Sequence, residues 1–352
     1  MKNILHVCIT LRQLLISICD SFKEGICPTI IFLLDYQYVS MERQKKLIEN
    51  FKEIKFFFVH ESELIDEFCP VKKIIPQIVR RNFSIKYKRL HFGAGRWTPA
   101  ILKDKIFDVT YIYHSGPFTA KAIRNNSNKI ILREDGLSNY VIHPLHPLKR
   151  IARFFCFLSP FGQVWGEERW INSIEVESPN LLPNRIKHKA KKLSINALLD
   201  GLNDACKKLL IDSFELDDIF LSDNFQTCLI LTQPIDDFGA CSTEQKKSIY
   251  SKIAQKFIDK GFKVFVKFHP KEEIYTLPVT HFIPKDFPVE LLQYILHKKF
   301  DYCIALCSTS LSFSNNAIAL NQIQIIPVEK FNPDSFKYWY KLVEDFQIED
   351  RA

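Results

Sequence analysis

The sequence of 352 residues lacks the features that define several classes of protein. No apolar run approaches the roughly 18 to 20 residues that a helix needs to span a bilayer. No low-complexity tract is present, and a 25% content of charged residues is typical of a folded globular protein. The apolar N-terminus does not have the pattern of a signal peptide, because Arg12 and Gln13 interrupt it and no small-residue cleavage site follows. We therefore expect a cytoplasmic protein.

Cysteine patterns that bind metals are also missing. The chain has ten cysteines, but it has no Cys-x-x-Cys pair and no cysteines at zinc-finger spacing to histidine. The cysteines lie mostly in apolar segments, which is typical of small buried side chains in a reducing compartment. We therefore predict free thiols and no metal site.

Positive charge is in excess, since 48 Lys and Arg against 40 Asp and Glu give a net charge of +8. This excess favours an anionic partner, which can be a nucleic acid, a membrane surface or an anionic ligand. No nucleic-acid-binding module is recognisable in the chain, so we expect no nucleic-acid partner.

Short apolar segments alternate with helical periodicity along most of the chain, a pattern typical of parallel sheets covered by helices on both faces. In the first half, strands are predicted at 4–9, 29–34, 55–59, 89–92, 109–113 and 129–133, and helices at 11–24, 40–53 and 117–126. In the second half, strands are predicted at 227–232, 262–268, 279–283, 301–306 and 323–328, and a helix at 243–260. Between the halves, the lysine-rich stretch 181–224 has a helical pattern without strands.

This change of pattern predicts two domains. We expect an N-terminal Rossmann-like domain over 1–195, a helical connector over 196–224 and a C-terminal Rossmann-like domain over 225–352. The predicted fold class is α/β, with the two Rossmann-like domains facing a central cleft. Ligands of open α/β sheets bind outside the carboxyl ends of the strands, so functional residues are expected in the loops that follow the strands.

A histidine follows one predicted strand of the C-terminal domain. The strand ends near Lys267, and His269-Pro270 comes directly after it, with Lys271 as a second flanking cation. A titratable imidazole among cations at the end of a strand suits a phosphate ligand. Two other His-Pro pairs occur, at 143–144 and 146–147, so the position of His269 rather than the dipeptide supports this interpretation.

Hydroxyl-bearing residues follow the strand at 301–306. Ser308, Thr309 and Ser310 precede a predicted helix at 315–320, where hydroxyls and free backbone N–H groups can bind an anion. An ordinary helix cap accounts for the same residues. Three further candidates lie near other strand ends or helix starts, namely Thr232, Gln233 and Glu290. A carboxylate such as Glu290 can accept from ribose hydroxyls or can be an ordinary acidic residue of a first helical turn.

Two adjacent carboxylates follow a strand of the N-terminal domain. Glu134, Asp135 and Gly136 come directly after the strand at 129–133. Proximity of two carboxylates tends to raise the pKa of one of them toward the range of a general base. A solvated Asp-Gly turn accounts for the same residues, so both interpretations remain open here.

Together these motifs resemble those of bacterial sialyltransferases, which carry an acidic-acidic-Gly motif, a His-Pro motif and a Ser/Thr-rich motif in this order. Here the three motifs are Glu134-Asp135-Gly136, His269-Pro270 and Ser308-Thr309-Ser310. The first strand and helix, with Thr10 and Gln13, are also similar to those of the lipooligosaccharide sialyltransferases of glycosyltransferase family 52. Close relatives of that family include the bacterial polysialyltransferases.

The resemblance implies a GT-B glycosyltransferase that transfers sialic acid from CMP-sialic acid to a bacterial surface glycan, with inversion and without a metal. The N-terminal domain would bind the acceptor, a lipooligosaccharide, O-antigen or capsule, and the residues on the acceptor side would be Thr10, Gln13 and Gly136. The C-terminal domain would bind CMP through Thr232, Gln233, Lys267, Pro270, Glu290, Ser308, Thr309 and Ser310. Consistently, the chain has no Asp-x-Asp motif, with which many other glycosyltransferases hold a divalent ion.

In that reaction, a carboxylate of Glu134 or Asp135 would take the acceptor proton, and His269 would donate a hydrogen bond to the departing phosphate or, if protonated, act as a general acid. Asp236 and Asp237 are alternative candidates for the base. Another donor, such as CMP-Kdo or a different nonulosonic acid, is an alternative to CMP-sialic acid. The basic, aromatic segment 148–158 is compatible with peripheral contact with the inner membrane, where a lipid-linked acceptor would lie. A peripheral membrane-binding protein on a degenerate GT-B fold is therefore the non-enzymatic alternative.

Overall fold

A computed structural model resolves the chain into two compact units, Met1–Cys206 and Lys207–Ala352. The described residues are 2–23, 26–69, 83–86, 89–92, 97–155, 159–215, 221, 225–237, 241–279, 281–308, 310–311, 317–327, 341, 343–346 and 348. Within these ranges, no helix is long and apolar enough to cross a membrane.

Unit 1, Met1–Cys206, is built on a parallel sheet of seven strands. The strands of the unit are β1 (Lys2–Cys8), β2 (Ile26–Leu33), β3 (Lys55–Val59), β4 (Phe83–Lys86), β5 (Arg89–Phe92), β6 (Val109–Ile112), β7 (Ile130–Arg133), β8 (Ser173–Val176) and β9 (Ala190–Lys192). The parallel sheet has the order β3-β2-β1-β6-β7-β8-β9, while β4 and β5 form a separate antiparallel pair. The direction of strand succession changes at β1, which places a ligand-binding switch point between the loops after β1 and β6.

The helices of unit 1 are α1 (Leu11–Ser21), α2 (Met41–Asn50), α3 (Glu61–Phe68), α4 (Phe118–Ala122), α5 (Pro147–Phe155) and α6 (Ile195–Asp200). Helix α1 begins where the hydroxyl of Thr10 accepts from the backbone N–H of Gln13, which satisfies one of the unpaired N–H groups of the first turn. Its apolar residues are buried, and so are the polar residues Gln13, Ser17 and Asp20. Thr10 and Gln13 are thereby held at the carboxyl end of β1.

Unit 2, Lys207–Ala352, contains a parallel sheet of five strands. Its strands are β10 (Thr227–Leu231), β11 (Lys263–Lys267), β12 (His281–Ile283), β13 (Phe300–Ala305) and β14 (Ala319–Gln324), and its sheet order is β12-β11-β10-β13-β14. Helix α7 (Asp204–Phe214) contains the boundary between the units, and α8 (Thr243–Asp259) connects β10 to β11. The switch point of this sheet lies between β10 and β13, where the strand order reverses.

These two parallel sheets confirm the predicted α/β class with two Rossmann-like units. The strand-free interpretation of 181–224 is wrong, because β9 (Ala190–Lys192) pairs with β8 at the edge of the sheet. The predicted strand at 89–92 exists but belongs to the antiparallel pair rather than to the parallel sheet. The predicted helix at 315–320 is wrong at its end, because Ala319 and Leu320 belong to β14, and 315–316 lie outside the described residues.

Candidate active site

His269 follows β11, and contacts with the backbone fix its surroundings. Its own N–H donates to the hydroxyl of Thr232 at 3.1 Å and to Oε2 of Glu272 at 3.1 Å. The backbone N–H of Lys271 donates to Nδ1 of the His269 ring at 3.2 Å. Because Nδ1 accepts this hydrogen bond, the ring proton of the neutral imidazole lies on Nε2. The ring can therefore present Nε2–H as a donor to a ligand.

The imidazole of His269 is neutral at physiological pH. Burial, followed by the positive charges of Lys267, Lys271 and Lys246, lowers the pKa of His269 to about 3. The same three ammonium groups create a positive potential around the ring, which suits an anion such as a phosphate. His269 is therefore a neutral hydrogen-bond donor in a cationic environment.

A buried lysine lies two residues before this histidine. Lys267, the last residue of β11, is 7% exposed, and its Nζ donates to the carbonyl oxygen of Lys285 at 3.1 Å. Burial lowers the pKa of Lys267 to about 8, while the charges of Glu290 and Asp286 act in the opposite direction. Glu290 is itself buried, in the first turn of the short helix Val289–Tyr294. Glu290 thus stabilises the charge of Lys267 from within the protein.

Side chains join the ends of β10 and β13 at the switch point of unit 2. Oε1 of Gln233 accepts from the backbone N–H of Cys307 at 2.7 Å. Oγ of Ser308 accepts from the backbone N–H of Ser310 at 3.2 Å, so this hydroxyl caps the short helical segment that follows. Thr309 lies outside the described residues. The predicted Ser/Thr motif is therefore placed at the expected strand end, where Ser308 also serves as a cap.

A buried ionic network supports the loop of His269. Glu272 is 3% exposed, and its Oε2 accepts from the hydroxyl of Thr232. Lys246 of α8 places its Nζ 3.1 Å from Oε1 of Glu272 and 2.7 Å from Oδ1 of Asp236. Burial raises the pKa of Glu272, and the hydrogen bonds of Thr232 and Lys246 offset part of this shift. One ammonium group thereby links two carboxylates from two different strand-end loops.

The two alternative candidates for the base lie in different surroundings. Asp236 accepts from Lys246 and also from the hydroxyl of Thr243 at 2.9 Å. Burial alone would raise the pKa of Asp236, but these hydrogen bonds outweigh it and lower the pKa below its ordinary value. A lowered pKa makes Asp236 a weaker proton acceptor. Asp237 is exposed and makes a turn through its backbone N–H, which donates to the carbonyl of Pro234 at 3.2 Å.

In unit 1, the structure brings Gln13 and Asp135 together. Oε1 of Gln13 accepts from the backbone N–H of Ile9 at 2.7 Å, and its Nε2 donates to Oδ1 of Asp135. The backbone N–H of Asp135 donates to Oδ1 of Asn139 at 2.8 Å. Asp135 is half-buried, so its carboxylate remains partly accessible to solvent. The loop after β1 therefore orients a carboxylate that follows β7.

Glu134 has a different environment from its neighbour. It is 1% exposed, and its Oε2 accepts from the backbone N–H of Glu177 at 2.8 Å and from the hydroxyl of Tyr140. Burial and the charge of Glu134 raise the pKa of Tyr140, so the phenol stays protonated and donates to the carboxylate. The hydrogen bonds of Glu134 are thus directed into the protein, and Asp135 is the more accessible member of the pair.

Gly136 and Arg133 shape the loop on either side of these acids. Gly136 has a φ of 117° and a ψ of −153°, a backbone conformation that is essentially restricted to glycine. Arg133 is 2% exposed and forms ion pairs with Asp20 at 3.0 Å and with Glu175 at 2.9 Å. Burial by itself raises the pKa of Asp20, but the Arg133 guanidinium outweighs it and holds the pKa below its ordinary value. The loop therefore starts from a rigid, charge-paired residue and turns at a glycine.

The described residues contain no group of three or more His, Cys, Asp or Glu side chains that could hold a metal ion.

The alpha-2,8-polysialyltransferase (POLYST) family matches residues 13–325. The chain belongs to this family. The predicted resemblance to bacterial sialyltransferases and polysialyltransferases is confirmed, and so is the prediction that the protein is an enzyme of the glycosyltransferase class.

Two other comparisons complete this result. None of the curated proteins compared with the chain matches it. Among solved structures, the chain is similar to the Arabidopsis thaliana protein UGT89C1 complexed with UDP-L-rhamnose, at 11% sequence identity and a TM-score of 0.41, over 98% of this chain and 90% of that chain.

The roles of Glu272 and Lys246 were not predicted from the sequence of this polysialyltransferase-family chain. Glu272 follows His269 by three residues, a spacing that allows a side chain to return to the start of a turn. Lys246 precedes Ile249, Tyr250 and Ile253 on the buried face of α8, and a single cation on an apolar helix face is a detectable signal for a buried ionic partner. The sequence alone does not name that partner, because it comes from another loop.

Proposed function

We propose that the protein transfers sialic acid from CMP-sialic acid to a hydroxyl of a bacterial surface glycan, with inversion and without a metal. Family membership supports the donor and the transfer reaction. We assign CMP binding to unit 2 and acceptor binding to unit 1. The observation that carries the proposal is the hydrogen bond from the N–H of Lys271 to Nδ1 of His269, because it leaves Nε2–H as a donor for the leaving phosphate.

On the donor side, the residues of unit 2 provide charge stabilisation for a departing CMP phosphate. This phosphate gains negative charge as its bond to the sugar breaks, and preorganised donors stabilise such charge more strongly in the transition state than in the ground state. The neutral His269 ring supplies one donor, and Lys267 and Lys271 supply positive potential. Thr232, Gln233, Pro270, Glu290 and the Ser308–Ser310 segment are proposed to bind the nucleotide.

On the acceptor side, we assign the base to Asp135 rather than to Glu134. Asp135 is half-buried and is oriented by the amide of Gln13, whereas Glu134 is 1% exposed and accepts hydrogen bonds from Tyr140 and Glu177. A general base must reach the proton that it removes, so accessibility favours Asp135.

The proposed reaction is a single displacement. The acceptor oxygen forms a bond to the anomeric carbon of the sialic acid while the bond from that carbon to the CMP phosphate oxygen breaks. The hydroxyl proton moves to the carboxylate of Asp135, and the electron pair of the broken bond leaves with CMP. His269 stays neutral throughout and donates a hydrogen bond to the departing phosphate oxygen.

Release of CMP tests this function. The purified chain is incubated with CMP-sialic acid and with glycans that end in galactose or in sialic acid, and CMP and the extended glycan are quantified. We expect acceptor-dependent CMP release that falls by about 10²–10³-fold in His269→Ala and is kept in the control His297→Ala, whose side chain is exposed. A chain that turns over CMP-Kdo or another nonulosonic acid instead would show that the donor assignment is wrong. Absence of turnover with every donor would contradict the enzymatic proposal.

Peripheral contact with the cytoplasmic face of the inner membrane is part of the proposal. Residues 136–166 contain Lys149, Arg150 and Arg153 but no Asp or Glu. Arg150 is exposed, whereas Arg153 is buried and pairs with Glu167, so Arg153 does not face the lipid. On α5, Ile151 and Phe154 are 58% and 66% exposed, and they lie three positions apart, which puts them on one helix face. Exposed apolar side chains beside cations are typical of a helix that lies on an anionic lipid surface.

Sedimentation with lipid vesicles tests this contact. We expect the chain to bind vesicles of phosphatidylglycerol and not vesicles of phosphatidylcholine. The double variant Ile151→Ser/Phe154→Ser should bind at least about tenfold more weakly, since each buried apolar side chain contributes about 1.5–3 kcal/mol. Ile48→Ser, at a 50% exposed position of α2, is the matched control. Equal binding of all variants would show that this surface does not contact lipid.

A further inference from the structure

The carboxylate of Glu272 contacts three separate elements of unit 2. Its Oε2 accepts from the backbone N–H of His269 at 3.1 Å and from the hydroxyl of Thr232, which follows β10. Its Oε1 lies 3.1 Å from Nζ of Lys246 on α8. Its own backbone N–H donates to the carbonyl of His269 at 2.9 Å. Both the main chain and the side chain of Glu272 therefore bind the main chain of His269.

These contacts restrict the loop that carries the imidazole. Glu272 is 3% exposed, so its hydrogen bonds do not compete with water and an unpaired donor around it would be costly. The hydroxyl of Thr232 both donates to Glu272 and accepts from the N–H of His269, so it joins the two strand-end loops. Lys246 balances the buried negative charge and also holds Asp236. A change at Glu272 is thus transmitted directly to His269.

We propose that Glu272 is a positioning residue that holds the His269 ring in place for the departing phosphate. The inference rests on the proposed function for its catalytic consequence, since His269 serves the leaving group only if CMP is released. Glu272 itself touches neither donor nor acceptor in this scheme. Glu272 acts through the main chain of His269, and Lys246 and Asp236 belong to the same buried ionic network.

The variant Glu272→Gln tests this role because it keeps the size of the side chain and removes its charge. In the wild-type chain, Oε2 of Glu272 accepts from two donors, whereas the amide of glutamine has only one acceptor oxygen. If that oxygen takes the place of Oε2, the NH₂ group faces the ammonium of Lys246; in the opposite orientation it faces the two donors. We expect kcat to fall by up to about 100-fold, as for a catalytic group displaced by about 1 Å, with little change in the affinity for CMP. Glu273→Gln, at the adjacent exposed position, is the matched control.

A double-mutant cycle separates positioning from general stability. In a His269→Ala background, Glu272→Gln should not lower kcat by more than about a further twofold, which is the usual uncertainty of such a comparison. A merely structural role predicts the same fractional loss in both backgrounds, and that result would overturn the inference. If Glu272→Gln does not fold, the pair Glu272→Gln/Lys246→Met is used in its place, because it removes the charges of Glu272 and Lys246 together and leaves Asp236 with its hydrogen bond from Thr243.

Nuclear magnetic resonance of the ¹⁵N-labelled histidine rings gives a readout that does not depend on turnover. In the wild-type chain, we expect the His269 resonance to show a proton on Nε2, and Glu272→Gln should shift the population toward the other tautomer. An unchanged His269 signal together with unchanged kcat would refute the positioning role. If the wild-type chain releases no CMP from any donor, the proposed function fails, whereas the ring signal still decides whether Glu272 orients His269.

Discussion

The two adjacent acids of unit 1 should respond in opposite ways to the loss of their charge. Glu134→Gln and Asp135→Asn each replace a carboxylate with an amide of the same shape. Glu134 is 1% exposed and accepts from the N–H of Glu177 and from the hydroxyl of Tyr140, while Asp135 is half-buried and accepts from Gln13. We therefore expect Glu134→Gln to lower the stability of the fold and Asp135→Asn to lower the rate of transfer.

The loss of stability in Glu134→Gln can be estimated from its hydrogen bonds. Both donors bind Oε2, so the amide oxygen of glutamine can take its place and keep both bonds, but it carries no charge. A hydrogen bond to a charged group contributes about 1.5–3 kcal/mol and a neutral one about 0.5–1.5 kcal/mol, so the two weakened bonds together lower the free energy of unfolding by about 2–3 kcal/mol. For a domain of about 200 residues this corresponds to a fall in Tm of roughly 4–12 °C. The turnover of the folded protein should fall much less than in Asp135→Asn.

Asp135→Asn should show the reverse pattern. If Asp135 removes the acceptor proton, its amide has no basic oxygen, and turnover should fall by about 10²–10⁴-fold, the usual contribution of a general base. The Tm and the affinity for CMP should stay close to those of the wild type, because the carboxylate is partly accessible and acts on the acceptor.

Three measurements on each variant decide between these assignments: the initial rate of CMP release, the Tm and the Kd for CMP. Asp236→Asn and Asp237→Asn are measured beside them as the alternative bases. Loss of turnover in Glu134→Gln with an unchanged Tm would refute the reasoning from burial and assign the base to Glu134. Full activity of both unit 1 variants, with loss of turnover in either variant of unit 2, would move the base into unit 2.

Three further predictions concern single positions. Because the pKa of His269 is about 3, the pH profile of kcat/KM should contain no ionisation near pH 6.5 that belongs to this residue. An ionisation near pH 6.5 that is present in the wild type and absent in His269→Ala would show that the protonated ring is the acid. Ser308→Ala should weaken CMP binding about fivefold, the effect of losing one hydrogen bond of about 1 kcal/mol, as measured by calorimetry; an unchanged Kd would leave this hydroxyl as a cap only. Gly136→Ala forces a side chain into φ 117° and should cost about 1–3 kcal/mol in chemical denaturation, whereas equal stability would mean that the loop relaxes.

The sheets could be predicted from the sequence because their central strands are continuous apolar runs. The strand β10 (Thr227–Leu231) is buried along its whole length, and the pattern predicts it within one residue. The strand β9 (Ala190–Lys192) escaped prediction because it is short, polar and at the sheet edge, so that no apolar face marks it. Pairing partners could not be predicted either, since the segment at 89–92 is recognisable as a strand but its sequence does not show that it pairs with β4 rather than with the parallel sheet.

The candidate site was predicted where its residues follow strands and was missed where it depends on long-range contacts. The position of His269 after β11 follows from the sequence alone. The tautomer of its ring does not, because it depends on how the backbone turns between His269 and Lys271. Glu272 meets Thr232 across 40 positions of the chain, and Lys246 reaches Glu272 from a helix, so neither contact has a local sequence signature.

The acidic-acidic-Gly motif now has a physical explanation, residue by residue. Arg133, the last residue of β7, is anchored below the loop by Asp20 and Glu175, so the chain leaves the sheet at a fixed point. The first acid, Glu134, is buried and accepts its hydrogen bonds inside the protein. The second, Asp135, lies toward the end of β1 and is the one that a substrate can reach. A glycine must follow, because the chain turns through a φ of 117° at Gly136 directly after Asp135. In the proposed reaction, the motif needs two acids because Glu134 holds the loop and leaves Asp135 available for proton transfer.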